Sequence, residues 1–255
     1  MTKARSPQIT TILFDCDNTL VLSETLAFEA CADLTNEILA RQNVPRRFTG
    51  PELQAEFVGQ SFQDMMKSLA AQYDFKNPLS AAELQHYASM EDDVVMAKLA
   101  QKLTPCDGAN DVLTELVRAR GFHLAVVSGS ALRRVRLSLD KAGQSGFFDS
   151  NDVFSASCSM KIPVSKPDPA IYQHAVRVLG RVPQECVAVE DSRSGVLAAR
   201  GAGIPVVGYT GCYGDERERE KMGRVLVEAG CAVVMEHWRE FAGCLEGIQR
   251  MVEVA

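Results

Sequence analysis

No stretch of this 255-residue chain approaches the roughly 18 consecutive apolar residues that a membrane-spanning helix requires. The first eight residues hold no apolar signal core. The expectation is a cytoplasmic protein with no membrane partner. Basic stripes are equally scarce: 27 Lys and Arg stand against 33 Asp and Glu, a formal net charge of −6, which disfavours nucleic acid as a partner. The cluster Arg133, Arg134 and Arg136 reads as a solvated helix face rather than a phosphate clamp. Eight cysteines, at 16, 31, 106, 158, 186, 212, 231 and 244, lack C-x-x-C or Cys/His spacing. That argues against a zinc site and a disulfide scaffold, and fits a reducing compartment. Internal repeats and low-complexity tracts are missing, and nothing in the residues sets the oligomeric state.

What is present begins with Asp15-Cys16-Asp17-Asn18-Thr19, directly after the apolar run 9–14. Residues i and i+2 of a strand share a face, so Asp15 and Asp17 converge on one reaction centre if extension continues past the strand end. The competing reading is a solvated turn with Asn18 in the left-handed region. Cys16, between the two acids, reads as a small buried side chain. A second apolar run, 124–127, ends in Ser128-Gly129-Ser130 before the helical stretch 131–142. Ser128 and the free N–H groups of a helix start suit a phosphate oxygen, whereas Ser130 reads as a helix cap. Third comes Ser165-Lys166-Pro167-Asp168-Pro169, a lysine before a proline-stiffened turn in which Asp168 and Pro169 open a helix. Fourth, Val187-Ala188-Val189-Glu190-Asp191-Ser192 ends a buried strand in two carboxylates that repel unless a cation lies between them.

In this order the four segments resemble the haloacid dehalogenase superfamily, with its Asp-x-Asp-x-Thr, Ser, Lys-Pro and Glu-Asp motifs. The form Val189–Gly195 is similar to the subgroup of beta-phosphoglucomutase and the sugar-phosphate phosphatases. The resemblance implies a phosphoric monoester hydrolase. Phosphate monoesters hydrolyse so slowly that a catalyst must remove on the order of 20 kcal/mol from the barrier, which calls for nucleophile, charge neutralisation and leaving-group protonation together. By the resemblance Asp15 is the nucleophile that forms an aspartyl-phosphate, and Asp17 is the general acid and base. Mg2+ is held by the Asp15 carboxylate, the Asp17 backbone carbonyl and Asp191, with Glu190 assisting. Ser128, Gly129 and Lys166 hold phosphoryl oxygens, and Thr19 orients the nucleophile loop.

Strand signals at 9–14, 123–127, 186–189 and 204–208, weaker ones at 152–156 and 231–235, and helical stretches at 110–120, 169–179, 194–202 and 238–252 alternate along the chain. This predicts an α/β fold, a doubly wound parallel sheet of Rossmann-like type, in residues 1–22 and 104–255. The run 215–221 alternates charge sign and reads as an exposed helix or loop. Between 23 and 103 the pattern is helical only: 26–41, 61–73 and a Ser80-x-x-Glu83 capping box before 84–103. This segment resembles the α-helical cap of the family, which encloses the substrate.

The mutase cap carries a His after the nucleophile loop and an Arg for a second phosphate. Thr25-Leu26-Ala27-Phe28 holds no His, and Val58-Gly59-Gln60-Ser61-Phe62-Gln63 holds no Arg. A phosphorylated sugar, polyol or sugar acid therefore fits better than a mutase substrate, with Gln60, Ser61 and Phe62 lining the cap side. A sugar-phosphate mutase and a non-catalytic binding protein on the same fold are the alternatives. The latter is disfavoured because Asp15, Asp17 and Lys166 are all present.

Overall fold

In the computed structural model, which describes residues 8–57 and 60–254, the apolar runs become six short strands. These are β1 (Thr11–Phe14), β2 (His123–Ser128), β3 (Val153–Ser155), β4 (Cys186–Glu190), β5 (Val206–Tyr209) and β6 (Val233–Met235). The helices are α1 (Glu24–Arg41), α2 (Gly50–Phe57), α3 (Phe62–Gln72), α4 (Ala81–Lys102), α5 (Ala109–Ala119), α6 (Leu132–Lys141), α7 (Ala170–Val178), α8 (Arg193–Gly201), α9 (Glu216–Ala229) and α10 (Phe241–Val254). Among the described residues, no helix is long and apolar enough to cross a membrane. The chain divides into two units, Met1–Leu22 with Thr104–Ala255, and Ser23–Leu103.

The first unit is an α/β fold built on one parallel sheet of order β3-β2-β1-β4-β5-β6. Every residue of β1 and β4 is buried, as strands covered by helices on both faces must be. Leu13, Ala125, Ala188 and Val206 share one apolar cluster with Ile171, Tyr172 and Ala175 of α7 and Val196 and Ala199 of α8. Phe14 points to the opposite face, where its ring lies 6.0 Å from those of Phe148 and Trp238. Burying a side chain of this size contributes about 1.5–3 kcal/mol. The chain winds outward from β1 to β3, then returns to place β4 on the other side of β1, so the carboxyl ends of β1, β2 and β4 flank the reversal point where such sheets bind ligands.

Register sets what stands there. Phe14 pairs with both Val126 and Val189, so Asp15 emerges level with Val127 and Glu190, and the Asp15 N–H donates to Val189 O at 3.0 Å. The charge-alternating run 215–221 begins α9, with the Asp215 side chain accepting from the Glu218 N–H as its cap.

The helical unit has its own core of Ile38, Leu39, Phe48, Leu53, Phe57, Met66 and Leu69. Ser80 and Glu83 form the reciprocal capping box expected before α4. Helix α2 has no counterpart in the sequence reading, because it opens with Gly50-Pro51 and is only 8 residues long. Gly50 serves packing: a Cβ there would come within 2.8 Å of the Glu29 backbone nitrogen on α1. Val58 and Gly59, the start of the turn read as a substrate loop, lie outside the described residues.

Candidate active site

The loop that carries Asp15 and Asp17 leaves β1 as a tight turn. The N–H groups of Leu20 and Val21 both donate to Cys16 O, at 2.9 and 3.1 Å, and Asn18 takes a left-handed φ of 57°. Asn tolerates that conformation through local hydrogen bonding. Cys16 is fully buried, and burial together with Asp17 and Asp15 pushes its thiol pKa well up. Thr19, also fully buried, donates to Asp191 Oδ1 at 3.4 Å and so ties the loop to the end of β4.

Asp15 meets a buried cation. Lys166 Nζ lies 2.6 Å from Asp15 Oδ1 and 2.6 Å from Glu190 Oε1, and donates to Val127 O at 2.9 Å. Tyr172, from the first turn of α7, donates its hydroxyl to the same Glu190 Oε1, and the ammonium sits 5.3 Å from its ring centroid. Burial keeps the Tyr172 phenol protonated, with the Glu190 charge adding to the effect. Burial works against the Lys166 charge, but Asp15 and Glu190 outweigh it and hold the ammonium protonated. The Asp15 carboxyl is pushed up to about 7 by burial, with Glu190 and Asp17 adding and Lys166 opposing.

One lysine among several acids leaves negative charge in excess. Asp15, Glu190 and Asp191 each bring a ligand atom within 4.8 Å of the others, and all three are buried. Glu190 Oε2 is buried with no hydrogen-bond partner. An all-oxygen donor set of this charge suits a hard divalent cation such as Mg2+. Tyr213 braces the position, its hydroxyl lying 3.2 Å from Asp191 O and 3.4 Å from Asp191 Oδ2.

The Asp17 side chain belongs to a different set of partners. Ser130 Oγ donates to Asp17 Oδ2 at 2.7 Å, Ser128 Oγ reaches the same oxygen at 3.4 Å, and Arg134 Nη2 lies 3.4 Å from Oδ1. Ser128 is fully buried at the end of β2, and Gly129 is exposed with open space where a Cβ would stand.

Residues 9–203, which span these strand-end acids, the lysine and the serines, match the family described as haloacid dehalogenase-like hydrolase. The chain belongs to that family. Phosphoglycolate phosphatase of Caulobacter vibrioides is 30% identical over 225 residues, 85% of this chain and 85% of its own length. Protein CbbY of Cereibacter sphaeroides is 29% identical over 219 residues, 86% of this chain and 91% of its own. The crystal structure of a HAD family hydrolase from Deinococcus radiodurans R1, with bound phosphate and sodium, has a TM-score of 0.68 at 27% identity, covering 95% of this chain and 97% of that one.

Within this haloacid dehalogenase-like hydrolase, the first unit brings together Asp15, Asp17, Thr19, Ser128, Lys166, Glu190 and Asp191. The three residues read as cap-side ligands have local partners in the helical unit. Gln60 Oε1 accepts from Ser68 Oγ at 3.1 Å, and Ser61 caps α3 by accepting from the Asp64 N–H. Phe62 is 9% exposed and sits in that unit's own core with Met65, Met66 and Leu69, so its ring is already committed to packing.

Two sequence expectations are corrected. Ser130 is not a helix cap: α6 starts after Ala131 with no side-chain cap, and the Ser130 hydroxyl goes to Asp17 instead. Arg134 is not part of a solvated face. Arg133 and Arg136 are exposed, whereas the Arg134 side chain is 19% exposed and paired with Asp17. A signal for it existed in its place on the first helical turn after the Ser128-x-Ser130 strand end. Tyr172 was also missed, although its position six residues after Lys166 puts it on the helix that the lysine turn opens.

Proposed function

We propose that the protein is a Mg2+-dependent phosphatase that hydrolyses a small phosphorylated sugar, polyol or sugar acid through an aspartyl-phosphate on Asp15. The observation that carries this reading is a buried Asp15 carboxylate 2.6 Å from Lys166 and clustered with Glu190 and Asp191 at the strand ends. A relative named phosphoglycolate phosphatase, aligned over 85% of the chain, supports a phosphorylated small acid among the substrates.

In the first half-reaction an Asp15 oxygen attacks phosphorus, the bond from phosphorus to the ester oxygen breaks, and Asp17 gives its proton to the departing oxygen. In the second, Asp17 takes a proton from water as the water oxygen attacks phosphorus, and the Asp15 carboxylate is released with inorganic phosphate. Lys166 and Ser128 hold the transferring oxygens, and the lysine also offsets repulsion between the nucleophile and an anionic phosphate. Asp15, Asp191 and the Asp17 backbone carbonyl, with Glu190 assisting, would hold Mg2+, which would supply further charge neutralisation at the phosphoryl group. Residues 23–103 act in this reading as the cap that selects the leaving group, with the exposed Gln60 and Ser61 as its contacts.

The test is phosphate release from a panel of hexose, pentose, polyol, sugar-acid and nucleotide monophosphates, with Mg2+ and with chelator, each also assayed for isomeric products. Metal-dependent release from sugar, polyol or sugar-acid esters is expected. Isomer formation without release, or no release from any ester, refutes the phosphatase reading.

A further inference from the structure

We propose that Arg134 and Ser130 position the Asp17 carboxylate for proton transfer, a role that rests on Asp17 being the acid and base. Asp15 and Asp17 stand two residues apart in one loop, yet each has its own cation: Lys166 for Asp15, at 2.6 Å, and Arg134 for Asp17, at 3.4 Å. The two Asp17 oxygens are gripped from one short segment, Oδ2 by the Ser130 hydroxyl and Oδ1 by the Arg134 guanidinium.

That segment is itself fixed. The Ser130 N–H donates to Ser128 Oγ at 3.0 Å, and the buried Ser155 on β3 donates to Ser130 O at 2.7 Å. Val135 and Leu139 anchor α6 in the core, which sets the direction of the first turn that carries Arg134. The side chains of Arg134 and Asp17 are 19% and 24% exposed, so their pairing is less screened than a surface ion pair. As Asp17 yields its proton to a leaving oxygen, negative charge develops between two donors already in place. Such preorganised contacts act in the transition state without further reorganisation. Neither residue touches the phosphoryl group in this scheme; both act through Asp17.

A proton donor matters in proportion to how poor the leaving group is, which separates positioning of Asp17 from phosphate binding. Glucose 6-phosphate has an alkoxide leaving group that needs a proton, whereas p-nitrophenyl phosphate releases a stable phenolate. For Arg134→Ala we expect kcat/KM on glucose 6-phosphate to fall about 10- to 100-fold, a fraction of the 10²–10⁴ that general acid catalysis supplies, with a loss on p-nitrophenyl phosphate of less than about 3-fold. Ser130→Ala should show the same split at smaller size. Arg134→Lys, which keeps the charge and guards against a folding artefact, should recover most of the loss. In Asp17→Asn the split should be larger, and adding Arg134→Ala should deepen it no further. Equal losses on both esters in Arg134→Ala, or a raised KM with unchanged kcat, overturn the positioning role while leaving Asp17 as acid and base. An Asp17→Asn enzyme that treats the two esters alike overturns the acid–base reading and this proposal with it.

Discussion

Replacing Gly195 by Ala should disable the site from behind. Gly195 lies in the first turn of α8, and a Cβ there would stand 1.8 Å from Glu190 Oε2 and 2.1 Å from its Cδ. Reaching ordinary contact near 3.5 Å needs a displacement of more than about 1.5 Å. The carboxylate cannot make that move and keep its partners, because Glu190 is fully buried with Oε1 fixed by Lys166 at 2.6 Å and by Tyr172. Overpacking costs about 1–3 kcal/mol, and a lost hydrogen bond to a charged group about 1.5–3 kcal/mol. Ala returns about 1 kcal/mol of helix propensity, which leaves a net destabilisation of about 1.5–5 kcal/mol. At about 2–4 °C per kcal/mol for a domain of this size, the thermal midpoint should fall by about 3–20 °C. Shifting Glu190 also moves Lys166 against Asp15, and a misplacement of about 1 Å can cost about 100-fold in kcat. Thermal unfolding and turnover of an alkyl phosphate check both halves. The control is Gly243→Ala on α10, where nothing lies within 4 Å of the added carbon and stability should hold or rise by up to about 1 kcal/mol. A Gly195→Ala protein that melts and turns over like the parent would refute the reasoning.

Three further outcomes are expected. Asp15→Asn should abolish turnover and covalent phosphate incorporation, since an amide is a poor nucleophile, and unchanged incorporation from a labelled substrate would remove Asp15 from that role. Lys166→Met should lose activity and destabilise the fold by about 3–5 kcal/mol in denaturant titrations, because it leaves Asp15 and the fully buried Glu190 without their shared cation. Ser80→Ala should cost about 1 kcal/mol through loss of the capping box on α4, read as a small drop in denaturation midpoint with turnover unchanged.

The strand ends were legible because parallel strands buried on both faces leave continuous apolar runs, and the runs of β1, β2 and β4 end in residues that apolar packing does not explain: Asp15, Ser128, Glu190 and Asp191. Even the three-residue strands β3 and β6 showed as weak signals. The Gly of Val189–Gly195 was readable as a pattern, but its reason was not, since only coordinates show the Glu190 carboxylate filling the place of a side chain. Helix α2 escaped because Gly50 and Pro51 are loop residues by propensity, while tertiary contact with α1 decides otherwise. Arg134 and Tyr172 were hidden for another reason. Each sits on a helix whose amphipathic pattern says which face is buried, and that pattern does not say which polar group at the rim of the face meets an acid from another strand.

The loop geometry accounts for the separate work that the proposed mechanism gives to two acids in one short motif. Continued extension after β1 would send the Asp15 and Asp17 side chains the same way, into one shared pool of charge. Instead Cys16 O collects the N–H groups of Leu20 and Val21, and the left-handed Asn18 turns the chain at once. Asp15 is left facing Lys166 and the two acids of β4, while Asp17 faces the Ser128–Arg134 segment. In the proposed mechanism these separate partners matter: Lys166 opposes the burial that raises the Asp15 pKa, while Ser130 and Arg134 hold Asp17 as it exchanges a proton. By this argument, a substitution that straightens the turn should hurt both half-reactions together. Asn18→Val is such a change, because a β-branched residue resists a φ of 57°. We expect it to slow phosphoenzyme formation and its hydrolysis in parallel in single-turnover measurements. An effect confined to one of the two steps would show that the turn does not set the division of roles.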